Sequence, residues 1–75
     1  MSQNTTLRMI EFADKMLNAD VSEHVYQYIE SHLVEGGITI DQGVNIARMA
    51  CILGVSHSDD FDEHYKYLFD IATSD

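Results

Sequence analysis

The longest apolar stretch of the chain runs from Ile38 to Val55, ITIDQGVNIARMACILGV. Laid on a helix of ~100° per residue, it leaves Asp41, Asn45 and Arg48 on one narrow polar stripe. Val44, Ile46, Ala47, Ala50, Cys51 and Leu53 cover most of the remaining circumference. A helix that is apolar nearly all round needs neighbours on several sides. The pattern therefore predicts a central helix over about 41–53, started by Thr39 or Asp41 and stopped by Gly54. Ile38-Thr39-Ile40 reads as a short extended entry to it. In such a setting Cys51 is expected to be a small buried hydrophobe.

Three two-faced segments supply the neighbours. The first helix is expected over about Thr6–Asn18, after a frayed 1–5. Met9, Ile10, Phe12, Ala13, Met16 and Leu17 form its wide apolar face, with Arg8, Glu11, Lys15 and Asn18 as the wet stripe. Asp20 followed three places on by Glu23 reads as a capping box for a second helix over about Val21–Val34. Val21, Val25, Ile29 and Leu33 recur every four residues along it, and Glu35-Gly36-Gly37 ends it. A fourth helix begins after Ser56 or Ser58, with Asp59, Asp60 and Asp62 where acids suit the positive end of the helix dipole. Phe61, Tyr65, Leu68, Phe69 and Ala72 form its core face. No proline interrupts any segment, and there is no repeat or low-complexity tract. The expected fold is all-α: one compact domain of four helices joined by short loops.

Charge changes the picture more than length does. Thirteen acids against four bases give a net charge of −9 on 75 residues. Residues 1–19 and 38–53 each balance to zero, so 20–37 and 54–75 carry −4 and −5. Such a surface repels DNA, RNA and anionic membranes, and favours a protein partner with a basic surface. A nucleic-acid-binding protein is a natural example. A single cysteine excludes an internal disulfide. No charged-then-apolar leader opens the chain and no run nears the ~20 apolar residues that span a bilayer, so cytoplasmic residence is expected.

Ala50-Cys51-Ile52-Leu53-Gly54-Val55-Ser56 resembles the turn of a helix-turn-helix. The resemblance implies that the next helix enters a groove of DNA. That helix begins His57-Ser58-Asp59-Asp60-Phe61-Asp62-Glu63, which phosphates repel, so the corner is read as structural.

Candidate chemistry is sparse. His57, Asp60 and His64 fall at i, i+3 and i+7, a spacing that can hold zinc. The plainer reading is a solvated acidic helix start with exposed histidines, and no metal or other cofactor is expected. No phosphate loop, nucleophile elbow or serine-histidine-aspartate order can be drawn, so the chain is read as non-catalytic. Asp60, His64, Tyr67 and Ile71, at spacing 4, 3 and 4, line up outside the core face and suggest a second contact surface, with Tyr28 as a further member. It would serve a homodimer or a partner. The expected protein-binding set is Glu23, Tyr28, Glu30, Asp59, Asp60, Asp62, Glu63, His64, Tyr67, Asp70 and Ile71. In size and charge the chain is similar to small acidic inhibitors of phages and mobile elements that block host nucleic-acid-binding proteins as DNA mimics. The alternative expectation is a helical adaptor or assembly factor docking through the fourth helix.

Overall fold

A computed structural model describes residues 3–74, with the side chains of 3 and 4 left aside. Its elements are four helices: α1 (Gln3–Lys15), α2 (Glu23–Val34), α3 (Ile40–Leu53) and α4 (Phe61–Thr73). There is no strand among the described residues. The all-α, four-helix expectation holds. α3 packs against α1, α2 and α4, which makes it the central helix that its apolar circumference demands.

The helix ends follow from local chemistry. Thr39 starts α3 through a full capping box: its hydroxyl accepts from the Gln42 N–H, and the Gln42 side chain accepts from the Thr39 N–H. Gly54 ends α3 at φ 79°, and the Val55 N–H reaches back to the Ala50 carbonyl. The helix-turn-helix-like corner is thus an ordinary left-handed glycine stop. α2 starts one turn-start later than its apolar pattern suggests. Ser22, not Asp20, is its cap, its Oγ accepting from the Val25 N–H at 3.1 Å. Ser22 is held there because its own N–H donates to the Ser56 carbonyl across the fold. α1 begins before Thr6, so helix already covers 3–5; positions 1 and 2 of the expected frayed end lie outside the described residues.

Phe12, Met16, Val25, Ile29, Leu33, Ile38, Ile46, Ala47, Ala50, Phe61, Tyr65 and Leu68 form the buried apolar core. Gly43 is the point of closest approach. A Cβ built on it would lie 3.1 Å from the Phe12 ring, 3.4 Å from Ile29 and 3.5 Å from Ile38. This glycine lets α1 and α2 approach α3 closely. Three expectations fail. Of the proposed first apolar face only Phe12, on α1, and Met16, in the turn after it, are buried; Met9, Ile10, Ala13 and Leu17 are exposed. Cys51 and Leu53 are also exposed, although the Cys51 thiol still donates to the Asp20 carbonyl at 3.3 Å. Arg8, assigned to the wet stripe, is half-buried and donates to the Ile38 carbonyl at 3.1 Å.

α2 and α4 are joined by rings. Tyr65 stacks on His32 at 4.5 Å between centroids and meets Tyr28 edge-on at 5.1 Å. Its hydroxyl is buried and has no hydrogen-bond partner among the described residues. Burial, with a smaller contribution from Tyr28, pushes the Tyr65 phenol from its ordinary 10.0 up to about 12.

Two outcomes follow. Gly43→Ala gains ~0.5–1 kcal/mol of helix propensity but crowds the Phe12 ring, at a cost of ~1–3 kcal/mol. The expected net effect is a loss of about 1 kcal/mol, read as a lower urea midpoint. Tyr65→Phe removes the unpaired buried hydroxyl and should stabilise by about 1 kcal/mol. The native protein favours the neutral phenol, so that part of its stability is intact below pH 10 and is lost as pH rises towards 12. Denaturation curves of the Tyr65→Phe protein should lack that alkaline component.

Candidate protein-binding surface

The loop before α4 is fixed from both ends. Ser56 is buried, with its carbonyl bonded to α2's cap, and the Ser58 N–H donates to the Val55 carbonyl. His57 Nε2 lies 2.8 Å from Asp20 Oδ1, tying this loop to the corner between α1 and α2. Neither Ser56 nor Ser58 caps α4. The cap position is Asp60, which makes no side-chain capping bond of its own. The Ser58 hydroxyl instead donates to the Asp60 carboxylate, holding that carboxyl below its usual range, with a smaller effect from the nearby His64. Asp62 and Glu63 occupy the first turn of α4, where the exposed N–H groups favour negative charge.

This arrangement dismantles the metal candidate. His57 turns to Asp20, while His64 Nε2 lies 3.9 Å from Asp60 Oδ1 at the surface. Among the described residues, no three histidine, cysteine or carboxylate side chains gather as a metal site would require.

The stripe on α4 is where its spacing put it. Tyr67 is 62 % exposed and Ile71 38 %, with Asp60, His64 and Asp70 also exposed. Phe61, Tyr65 and Leu68 are buried on the other side of the helix. Around Tyr67 and Ile71 the outer surface carries Asp59, Asp60, Asp62, Glu63 and Asp70 against Lys66, a local balance of −4.

Three expected members do not join this surface. Tyr28 is half-buried and packs edge-on to Phe61 at 5.8 Å as well as to Tyr65. It belongs to the contact between α2 and α4, on the far side of α4 from Tyr67. Glu30 lies beside Tyr26, whose phenol is raised first by burial and then by the Glu30 charge; the Tyr26 ring packs on Phe12 of α1 at 5.3 Å. Glu23 accepts from the Gln27 side chain at 3.1 Å. By helical phase Glu23 and Glu30 share the flank of α2 nearer α1, whereas His24, Tyr28 and His32 take the flank nearer α4. The acids of α2 and α4 therefore do not form one continuous field.

The structure adds a second apolar surface that the pattern reading missed. Leu7, Ile10 and Leu17 are 59, 60 and 76 % exposed along one side of the α1 segment. Helical phase was the available signal: 7, 10 and 17 form one stripe, and 9, 12 and 16 another, about 140–160° away on average. Ile52 and Leu53 are exposed at the end of α3. No described helix is long and apolar enough to cross a membrane. Compared with known proteins, the chain matches no family model, no curated protein and no solved structure.

Proposed function

We propose that this chain is a non-catalytic, cytoplasmic regulator that binds a basic protein through α4 and the loop before it. The observation that carries the reading is the exposed pair Tyr67 and Ile71 on α4, a helix that carries Asp62, Glu63 and Asp70 and is preceded by Asp59 and Asp60. Asp60 at the cap and Glu63 in the first turn of α4 are three residues apart, a spacing that on a helix sets carboxylates ~5–6 Å from one another, roughly comparable to phosphates along a strand. A partner that itself binds nucleic acid would meet a surface resembling its ligand, as in an inhibitor of phage or mobile-element type. The charge would speed encounter and select the partner, while the buried ring and aliphatic side chain would set residence time.

Relative to the sequence expectation, the surface is smaller. Glu23, Glu30 and Tyr28 are left out, since Tyr28 packs against α4 and the two acids lie on the other flank of α2. Partners captured on the immobilised protein should be basic and should be displaced by a short DNA duplex. They should also elute as salt rises from ~0.1 to ~1 M, where the Debye length shrinks from ~10 to ~3 Å. Neutralising Asp59, Asp62, Glu63 and Asp70 should flatten that salt dependence and slow association. Capture that is indifferent both to salt and to DNA would reject the charge mechanism.

A second reading is favoured by the α1 stripe. Here the chain is a helical adaptor or assembly factor that self-associates or docks through apolar side chains, with the acids keeping it dispersed. The stripe to test is α1 as well as α4. Replacing Leu7 and Ile10 with lysine and aspartate should lower the sedimenting mass if α1 is the contact. Replacing Tyr67 and Ile71 in the same way should do so if α4 is. A monomeric parent protein, or an unchanged mass in both variants with helicity intact, would reject self-association.

A further inference from the structure

The polar stripe of α3 is not used by the proposed partner surface, and it lines a separate cleft. A cavity of about 290 Å³ opens between the end of α1 and α3, lined among others by Lys15, Met16, Val44, Ala47, Arg48 and Cys51. An adjoining hollow of about 450 Å³ shares Lys15, Val44 and Arg48 with it and adds Asp41 and Asn45. None of these residues belongs to α4 or its loop.

Two of the four cations of a −9 chain thus face each other across one cleft. The other two are placed differently: Arg8 bonds to the Ile38 carbonyl, and Lys66 sits among the α4 acids. Lys15 and Arg48 make no hydrogen bond or ion pair among the described residues. Here the acids at the cleft are Asp20, drawn off to His57, and Asp41.

We propose that this cleft binds a small carboxylic acid. Its carboxylate would lie between Lys15 and the planar fork of Arg48, and its apolar body would rest on Met16, Val44 and Ala47. The volume is at the lower end of the ~300–1,000 Å³ of small-molecule sites, which suits a short ligand. In the 290 Å³ cavity, Lys15 and Arg48 against Asp20 leave a surplus of one positive charge, which matches a monoanion. A dianionic phosphate would exceed that surplus and find no use for the apolar floor. Arginine pairs a carboxylate through two parallel N–H bonds, so it would set the orientation.

Hexanoate is the probe, with hexanol and inorganic phosphate as comparisons, each titrated into the ¹⁵N-labelled full chain. Hexanoate should give saturating amide shifts confined to the end of α1 and the outward side of α3. The Lys15→Gln, Arg48→Gln double variant should bind it at least about tenfold more weakly, about 1.4 kcal/mol. A second measurement does not depend on guessing the ligand. Cys51 lines the same cleft, so its thiolate can displace iodide from iodoacetate, an anion, or from iodoacetamide, its neutral analogue. The iodoacetate-to-iodoacetamide rate ratio should fall several-fold in the double variant. Hexanol binding as tightly as hexanoate, phosphate binding more tightly, absence of saturating shifts, or an unchanged rate ratio in a folded double variant would each overturn the proposal.

Discussion

Three segments meet the backbone of α3 at a single residue without a side chain. Phe12 from α1, Ile29 from α2 and Ile38 from the entry loop all converge on Gly43, within 3.1–3.5 Å of where a Cβ would be. This contact fixes how close α1 and α2 come to the central helix, and hence how they lie beside each other, with Tyr26 packed on Phe12. It also explains a local oddity. A glycine in the first turns of a helix weakens that helix, and here the Thr39–Gln42 capping box sits immediately before it, supporting the same turn. α4 takes no part in this junction. It is held by α3 and by the rings of α2, which leaves its outer side free.

A chain of 75 residues buries only about 60 % of its unfolded surface, so four helices cannot all be covered on every apolar side. That shortage is visible on α1 and at the end of α3. Periodicity identifies the apolar stripes correctly. It does not say which of two stripes on α1 receives the neighbour, because that depends on crossing geometry set at Gly43. The stripe of Phe12 and Met16 is covered and the stripe of Leu7, Ile10 and Leu17 is not. Likewise nothing in the run Ala50-Cys51-Ile52-Leu53 marks where the neighbours stop. Local signals fared better where the chemistry was local: Gly54 as a stop, Gly36 at φ 85° after α2, and Thr39 as a start. They failed where a distant group competed. Asp20 does not cap α2, because its carboxylate lies against His57 and the Ser22 N–H is claimed by Ser56.

The same reasoning separates what was legible in the candidate surface. Tyr67 and Ile71 lie outside the core phase of α4, and spacing alone placed them in solvent. Tyr28 has an equally outward phase on α2, yet it is half-buried, because α4 happens to pack on that flank. The spacing of Glu23 and Glu30 put them on one flank and His24, Tyr28 and His32 on another. Which flank would face α4 was a tertiary fact. Aromatic side chains took the helix contact because they gain far more from burial than carboxylates, which remain near water.

The resulting electrical layout has a consequence for how contacts are shared. α1 and α3 are each close to neutral over the segments that contain them, while the surplus charge sits on 20–37 and 54–75. Under the proposed function, a cationic partner approaching from solution would be drawn to those two segments, and α4 would offer it Tyr67 and Ile71 as apolar anchors. A second copy of the chain carries the same −9 and is repelled most strongly from that side. Repulsion is least along α1, where Leu7, Ile10 and Leu17 are exposed beside two bases and two acids. On the proposed reading, like and unlike partners would thereby be directed to different helices. On that reading, charge distribution rather than the amount of apolar area would sort the two surfaces by the kind of molecule each admits.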